Sequence, residues 1–358
     1  MDTLHPKKLL IINILDILKK YTDENHRLSQ KEIAKILERE YNMVADRKAI
    51  KRNLMNLIEF GSEFGCEIDY SVTVRMIETT NKDGEKELVE SEILSDFYFV
   101  RDFTDAELRL LIDSLLFSKH IPYSQCKELI EKIEGLSNKY FSAKVKHICN
   151  LPENMPQNKE LFYTIEILDE AISNGKQVAF KYNDMGTDKR QHPRKNSDGS
   201  VREYIVNPYQ MVATNGRYYL IGNYDKYNNV SNYRVDRITG IRSLDTPVKS
   251  TKKVEGLENG LDLSKHMAEH IYMFSDKTER VTFRASKGIV TEIIDWFGKD
   301  VRFTSETDSE VTAEVRVSPM AMKFWAMQYG EYVTVTYPES LVNEIKTALQ
   351  KAVEKYYK

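Results

Sequence analysis

The stretch NGRYYLIGNYDKYNNVSNYRVDRI, residues 215–238, carries five tyrosines and three arginines beside two aspartates. It opens on Asn215-Gly216, a pair that suits the two-residue type I′ turn of a β-hairpin, so the residues after it are predicted to leave the turn as a strand. Side chains alternate between the two faces of a strand. The alternation places Tyr218, Leu220 and Gly222 on one face and Arg217, Tyr219 and Ile221 on the other.

The spacing of Arg234 and Arg237 places them on opposite faces of a straight second strand. Residues three apart cannot share one face of a straight strand. The two arginines converge only if the strand ends or bends between them, with Asp236 in a position to hold one of them.

The surroundings of the hairpin are basic. Residues 176–240 contain 11 Lys and Arg against 6 Asp and Glu by direct count. Guanidinium groups bind phosphate oxygens through two parallel hydrogen bonds, and tyrosine rings offer stacking surfaces for bases. Tyrosine is also a good strand former, and its arginine neighbours could simply be solvated. The residue pattern alone therefore leaves two interpretations open, a ligand-binding surface and an ordinary hairpin.

The flanking sequence is rich in predicted strands. QVAFKY (177–182) and EYIVNPYQMVA (203–213) have the composition of strands. A helix is expected at about 159–174, after a boundary rich in Pro and Asn. These segments predict a small, strongly bent antiparallel sheet or barrel over residues 156–245.

The beginning of the chain has the element order of a winged helix-turn-helix, three short helices followed by a hairpin. Residues 7–20 carry an apolar helical stripe, and Ser29 with Glu32 forms a capping box at the start of a second helix. The hairpin is expected to turn at Asn81–Gly84. We therefore predict a DNA-binding domain over residues 1–100.

The third helix of this domain is the candidate for DNA contact. Asp46 is its expected N-cap and Gly61 its expected end. Its apolar side chains cluster on one face beside a basic face, as a helix in the major groove requires. A solvated charge cluster is the other interpretation. The candidate DNA-binding residues are Arg47, Lys48, Lys51 and Arg52.

Three further segments complete the chain. Residues 101–155 begin with a capping box at Thr104 and Glu107 and predict a helical connector that could pack against its copy in a second subunit. Residues 246–277 are expected to form a polar linker with one short helix. Residues 278–358 predict a strand, a helix, two strands and a closing helix, which suggests a ferredoxin-like piece. The predicted fold class is α+β with several domains.

The composition indicates a soluble, cytoplasmic protein. Apolar residues make up 41% and charged residues 30%, and the formal net charge of −3 argues against a wholly basic nucleic-acid binder without excluding local basic patches. The three cysteines include no CxxC pair, which fits a reducing compartment. No stretch approaches the roughly 20 apolar residues of a membrane helix. We therefore expect no membrane partner.

One motif raises the question of catalysis. HMAEH, residues 266–270, matches the inverted zincin pattern, in which His266 and His270 would bind zinc and Glu269 would act as base. No third ligand lies at a familiar distance, so a short surface helix capped by Ser264 is the favoured interpretation. The sequence has no nucleophile elbow, P-loop or dinucleotide motif. We expect no enzyme activity, no metal and no cofactor.

The hairpin, with YIVNPYQMV before it, resembles the core of a WYL domain. The segment MKFWAMQYGEYVTVTYP (322–338) resembles the signature of the C-terminal extension of such proteins. The whole chain is similar to bacterial WYL-containing transcription regulators, although RKAIKRN on its third helix departs from their usual R-x-T-I-x-R-D. The resemblance of the hairpin rests on Tyr218-Tyr219-Leu220 in place of Trp-Tyr-Leu, on Pro208, and on an R-x-x-R at Arg234 and Arg237.

The resemblance implies an N-terminal winged helix, a helical connector, an Sm-like WYL barrel and the extension. It implies a homodimer that binds double-stranded DNA and responds to a nucleotide or single-stranded nucleic acid effector. The alternative is an accessory regulator of a phage-defence nuclease of the CRISPR type, acting through nucleic-acid or protein binding. By position, the effector pocket would use Tyr182, His192, Arg202, Tyr204, Tyr219, Arg234 and Arg237.

Overall fold

A computed structural model shows a chain of helices and antiparallel sheets, which confirms the α+β class. The residues form two compact units, Met1–Phe117 with Tyr123–Glu153, and Ser118–Pro122 with Asn154–Lys358. None of the described helices is both long and apolar enough to cross a membrane. The structure describes residues 6–80, 86–118, 120–141 and 158–357.

Three helices build the core of the first unit. They are α1 (Leu10–Tyr21), α2 (Gln30–Tyr41) and α3 (Arg47–Phe60). Their apolar stripes face one another, so that Ile14, Leu37 and Leu54 are almost completely buried. The predicted capping box is present: the Ser29 hydroxyl accepts a hydrogen bond from the Glu32 N–H, and the Glu32 carboxylate accepts one from the Ser29 N–H.

Helix α3 starts at the predicted residue, and Gly61 directly follows its last residue, as predicted. Gly61 does not, however, adopt the left-handed conformation typical of a glycine that ends a helix. The Asp46 carboxylate caps the helix by accepting a hydrogen bond from the Ala49 N–H at 2.8 Å. Gly61 keeps a helical φ of −62°, and the left-handed residue that turns the chain is Gly65, at +66°. A glycine is needed at position 61 because a Cβ there would collide with the Cys66 carbonyl oxygen.

A long antiparallel hairpin follows α3. Its strands are β1 (Glu67–Thr80) and β2 (Lys86–Val100), which pair along their whole length with a bulge between Asp69 and Ser71. The turn predicted at Asn81–Gly84 lies outside the described residues.

The described part of the predicted connector includes the two helices α4 (Asp105–Phe117) and α5 (Tyr123–Glu134). The capping box before α4 is confirmed. The Thr104 N–H donates to the Glu107 carboxylate at 2.8 Å, and the Glu107 N–H donates to the Thr104 hydroxyl at 3.2 Å.

Six strands of the second unit form one curled antiparallel sheet, accompanied by helix α6 (Leu161–Ser173). The strands are β3 (Lys176–Met185), β4 (Gln191–Pro193), β5 (Glu203–Thr214), β6 (Arg217–Tyr224), β7 (Val230–Arg234) and β8 (Ile238–Pro247). Neighbouring strands follow the order β4-β3-β5-β6-β7. Strand β3 also pairs with β8, on the side opposite to β5.

The connection between β7 and β8 makes the sheet curl. These two strands lie at opposite ends of the pairing order, yet only the 3₁₀ helix Val235–Arg237 joins them. A residue spans at most about 3.6 Å of chain, so the two edges of the sheet must meet at this turn. The strongly bent sheet expected from the sequence is therefore present.

The predicted polar linker, residues 246–277, contributes to the buried core. Met273 lies in one buried cluster with Tyr219 and Ile221 of β6, and Val254 is completely buried. The expected short helix is present as α7 (Leu263–Glu269).

The predicted cap of α7 was wrong. Asp262, not Ser264, precedes the helix, and its carboxylate accepts a hydrogen bond from the Lys265 N–H at 3.0 Å. The helix is also not a surface element on all sides, because His266 is buried and its Nε2 lies 3.1 Å from the Asn232 Oδ1 atom.

The C-terminal part of the second unit adds a four-stranded antiparallel sheet. Its elements are β9 (Glu279–Ser286), α8 (Val290–Phe297), β10 (Arg302–Glu306), β11 (Glu310–Val317), α9 (Pro319–Gln328), β12 (Val333–Tyr337) and α10 (Glu339–Tyr356). The strand order is β10-β11-β9-β12. The predicted order was incomplete, since it omitted α9 and β12. The core is aromatic: Trp325 packs edge-on against Phe283 and Phe297.

The stability of the second unit should depend on pH through His266. Burial, and after it the neighbouring His270, lowers the pKa of His266 to about 3. In the unfolded chain a histidine has a pKa of about 6.5. Between these values the unfolded state binds a proton that the folded state excludes. The free energy of unfolding therefore falls as the pH drops from about 6.5 towards 3, by up to roughly 1.4 kcal/mol per pH unit.

The variant His266→Gln isolates this contribution, because its amide can still donate to Asn232. Between pH 7 and pH 4.5 we expect the Tm of the wild type to fall further than that of the variant in thermal melts. Equal falls would contradict the role of His266.

Candidate ligand pocket and DNA-binding helix

The turn between β7 and β8 is held by an ion pair between Arg234 and Asp236. The guanidinium donates from Nε to Oδ1 at 3.1 Å and from Nη2 to Oδ2 at 2.6 Å. Asp236 is 2% exposed, and its backbone carbonyl accepts hydrogen bonds from the side chains of Asn158 and Gln191 at 3.1 and 2.9 Å. The strand therefore breaks between the two arginines, and Asp236 holds one of them, as the spacing required.

This turn and the neighbouring strand ends enclose a small pocket of about 200 Å³. Three guanidinium groups and one buried carboxylate make up its charged lining. Burial opposes the charged form of Arg234, but the hydrogen-bonded Asp236 outweighs it and raises the pKa of Arg234. The lining residues are Met185, Gln191, Arg217, Arg234, Asp236 and Arg237.

Arg217 lines this pocket and was not among the predicted ligand residues. It is the first residue of β6, directly after the turn at Asn215 and Gly216, whose φ values of 53° and 70° fit the expected type I′ turn. Alternation places it on the face of Tyr219, and the partner of Tyr219 across the sheet is Arg234. The alternation of β6 was therefore a signal that could have identified Arg217.

Arg217 contributes a charge that the chain does not neutralise. Burial, and after it the neighbouring Arg234 cation, lowers the pKa of Arg217. Across the described ranges, no carboxylate lies within ion-pair distance of its guanidinium group.

Among the described residues, Arg237 forms one long ion pair. Its Nη1 lies 3.7 Å from the Asp184 Oδ1 atom. That carboxylate is already held by Arg194, which donates to both of its oxygens at 2.8 and 2.9 Å and thereby lowers the pKa of Asp184. Arg237 therefore remains available to a ligand.

Tyr182 and Tyr219 do not line the pocket but lie next to Arg234, one of its lining residues. Tyr182 is 6% exposed, and its hydroxyl accepts a hydrogen bond from the Arg234 N–H at 3.0 Å. Tyr219 is 8% exposed and packs against Ile221 and Met273. Burial raises the pKa of both phenols. Little of either ring is accessible to a stacked base.

The other predicted ligand residues do not line this pocket. Arg202 lies over the rings of Tyr204 and Tyr224, at 4.7 and 5.3 Å from their centroids, and Tyr204 is itself buried. His192 is on an exposed hairpin, where its Nε2 lies 2.9 Å from the Asp188 carboxylate. Of the predicted ligand residues, the structure therefore brings Arg234 and Arg237 together in the pocket. Tyr182 and Tyr219 adjoin Arg234. The remaining three, Arg202, Tyr204 and His192, do not line the pocket.

Helix α3 presents the predicted basic face to solvent. Ile50, Leu54 and Leu57 are buried, whereas the four predicted DNA-binding residues are exposed. In the described part of the first unit no carboxylate forms an ion pair with these four cations. A cleft of about 350 Å³ at the start of α3 adds two cations that the sequence did not single out, since Lys7 and Lys8 line it together with Arg52.

The hairpin after α3 has the opposite charge. Residues 67–100 contain nine Asp and Glu against three Lys and Arg by direct count, a net charge of −6. Such a hairpin is repelled by a phosphate backbone. In the described part of this unit, α3 and the cations next to it therefore offer the surface that would attract a phosphate backbone.

The histidine pair of the HMAEH motif is engaged in hydrogen bonds. The His266 and His270 rings are stacked with centroids 4.2 Å apart, and the His270 Nδ1 atom lies 2.9 Å from the His266 carbonyl oxygen. In the described residues no group of three His, Cys, Asp or Glu side chains is placed to hold a metal ion.

Comparison with known proteins identifies the domains of the second unit. Residues 163–243 match the WYL domain and residues 277–353 match the WCX domain. The chain therefore contains a WYL domain followed by a WCX domain, which confirms the predicted WYL domain and its C-terminal extension.

Two solved structures have low similarity to this chain. Proteasome accessory factor B/C (PafBC) of Arthrobacter aurescens is 15% identical with a TM-score of 0.29; the match covers 97% of this chain and 48% of that one. The present chain thus spans about half the length of that protein. A CRISPR Cas-related protein is 13% identical with a TM-score of 0.37, and the match covers 98% of this chain and 84% of that one. These scores are too low to carry a functional argument.

None of the curated proteins compared with the chain matches it.

The ion pair at the turn should be a main source of stability in the second unit. Arg234→Ala leaves the buried Asp236 carboxylate unpaired and should lower the free energy of unfolding by about 3–5 kcal/mol. Arg237→Ala breaks only a long, exposed contact and should cost no more than about 1 kcal/mol. Urea denaturation followed by circular dichroism measures both values.

The double variant Arg234→Met with Asp236→Leu serves as a control, since it removes the buried charge together with its partner. It should be more stable than Arg234→Ala. A destabilisation by Arg234→Ala no larger than that by Arg237→Ala would rule out this role of the ion pair.

Proposed function

We propose that the protein is a DNA-binding transcription regulator whose WYL domain senses a nucleotide or a single-stranded nucleic acid. The observation that carries the proposal is the convergence of Arg217, Arg234 and Arg237 on one small pocket with a single internal carboxylate. Planar guanidinium groups match phosphate oxygens in geometry and charge. A phosphate-bearing effector is the ligand that this lining fits best.

The exposed basic face of α3 supports the DNA-binding half of the proposal. A helix with one buried apolar face and one free cationic face can enter the major groove while its core side stays packed. Phosphate contacts position such a helix, and side chains near its start read the bases. Arg47, Lys48, Lys51 and Arg52 occupy the first two turns of α3.

The element order supports an assignment of the parts. We assign residues 1–100 to a winged helix-turn-helix, 101–155 to the connector and 156–245 to an Sm-like barrel, because the sheet closes through the β7–β8 turn. Residues 246–277 bridge to the extension. Residues 278–358 contain a βαββαβ succession whose strand order fits a ferredoxin-like fold.

We further propose that the regulator acts as a cytoplasmic homodimer. Winged-helix proteins that read inverted repeats gain affinity from pairing two recognition helices.

Removing the basic face of α3 should weaken DNA binding. For Lys48→Ala with Lys51→Ala and Arg52→Ala, we expect lower affinity for a duplex taken from upstream of the protein's own gene. The slope of log affinity against log salt concentration should become shallower by about 0.9 for each phosphate that the variant no longer neutralises. Mobility-shift titrations at several salt concentrations give both values, and light scattering of the complex gives the number of subunits bound.

A matched control replaces three exposed cations of the C-terminal part, Arg302, Lys346 and Lys351, by Ala. This variant removes the same total charge and should bind like the wild type. If both triple variants bind DNA equally well, α3 is not the recognition helix. If the wild type binds no duplex, the accessory-regulator alternative is favoured.

Effector binding should depend on the guanidinium shape of Arg237 and not only on its charge. Arg237→Lys keeps the charge but removes the planar fork, so the affinity for a 5′-phosphorylated single-stranded DNA of twelve nucleotides should fall about tenfold to a hundredfold. Isothermal titration calorimetry measures the change. DNA binding by the separate α3 surface should be retained.

Arg202→Lys is the matched control, because Arg202 stacks on Tyr204 outside the pocket. Its effector affinity should equal that of the wild type. If the effector affinity is unchanged in Arg237→Lys but falls in Arg202→Lys, the effector binds at Arg202 and the rings of Tyr204 and Tyr224 instead.

A further inference from the structure

Positive charges outnumber negative charges in the lining of the arginine pocket. Arg217, Arg234 and Arg237 contribute three positive charges, and the buried Asp236 contributes one negative charge. Asp184 is largely neutralised by Arg194, which holds both of its oxygens. The pocket therefore keeps a surplus of about two positive charges in a partly buried setting.

The pocket is also small. Its volume of about 200 Å³ is below the roughly 300–1,000 Å³ of clefts that enclose whole drug-sized ligands. It can enclose one group of an effector, while the remainder of the ligand has to lie outside it.

Two kinds of phosphate group differ in charge. An internal phosphodiester of a nucleic acid carries one negative charge, whereas a phosphomonoester carries about −1.5 to −2 at pH 7 and offers three strong acceptor oxygens. A partly desolvated site is stabilised most by a ligand that cancels its surplus charge. Three guanidinium groups around one small volume fit three terminal oxygens better than the two free oxygens of a diester.

We propose that the pocket binds a terminal phosphate, the phosphomonoester end of a nucleic acid strand or nucleotide, and that Arg217 sets this preference. The inference rests on the proposed sensing function and narrows it from nucleic acid in general to its phosphorylated ends. Arg217 is suited to the role because Arg234 is bound to Asp236 and Arg237 shares Asp184, while Arg217 has no carboxylate partner in the described ranges.

The test compares one single-stranded DNA of twelve nucleotides, labelled with fluorescein at an internal base, in three forms. These forms carry a 5′-phosphate, a 3′-phosphate, or hydroxyl groups at both ends. Fluorescence anisotropy should show that one phosphorylated form binds the intact protein about tenfold to a hundredfold more tightly than the hydroxyl form, which corresponds to one charge-assisted hydrogen bond.

Variants assign the preference to its residue. In Arg217→Gln the ratio between the affinities for the phosphorylated and the hydroxyl forms should fall close to one. Arg242→Gln is the control and should keep the full ratio, since Arg242 on β8 pairs with Glu203 on β5, outside the pocket. Circular dichroism confirms that both variants are folded.

The preference should also depend on pH. The second pKa of a phosphomonoester is about 6, so its charge falls at pH 5, while the arginines stay charged. The ratio between the affinities for the phosphorylated and the hydroxyl forms should therefore be smaller at pH 5 than at pH 7.5.

Two results would overturn the inference in distinguishable ways. If all three forms bind equally and Arg237→Lys weakens them alike, the pocket senses nucleic acid without reading its ends, and only this inference fails. If no form binds, the proposed effector class fails with it.

Discussion

A buried carboxylate at the end of a strand is the constraint on which the pocket depends. Asp236 has almost no exposure, and an unpaired charge there would be strongly destabilising. Arg234 satisfies it through two hydrogen bonds, and the side chains of Asn158 and Gln191 hold the backbone of the same residue. The turn therefore cannot relax into a straight strand. Because this turn joins the two edges of the curled sheet, it also fixes where the pocket lies.

The same interaction divides the arginines by role. Arg234 is committed to Asp236, so it orients the pocket more than it offers free charge. Arg217 and Arg237 lie on either side with weak partners or none in the described residues. A binding site needs functional groups held by other interactions. Here a structural ion pair provides that support for two neighbouring cations, and Tyr182 adds to it through the Arg234 N–H.

Positive and negative charges are concentrated on different elements of the chain. The net charge of −3 conceals a basic face on α3, a basic WYL sheet and a hairpin of net charge −6. An acidic hairpin and a basic helix in one unit give a phosphate backbone a surface that attracts it and a surface that repels it. Composition as a whole is therefore a poor guide to the partners of this protein, whereas the charge of single elements is informative.

The sequence by itself determined the features that depend on neighbours within a few residues. Ser29 with Glu32, Asp46, and Thr104 with Glu107 cap their helices as expected, and Asn215-Gly216 forms a turn whose φ values fit the expected type I′. Each of these interactions closes within about one turn of helix or one hairpin loop, so the pattern of residue types is sufficient to predict it.

The tertiary structure alone decided which side chains share the pocket. Arg217 joins Arg234 only because β6 pairs with β7, and Tyr219 is buried because a segment some fifty residues later, around Met273, packs on its face. His192 and Arg202 are removed from the pocket by their own partners, Asp188 and the ring of Tyr204. Such outcomes depend on contacts between residues far apart in sequence. They are settled by sheet register, by burial and by the pairing of charges, which form only when the strands curl into one sheet.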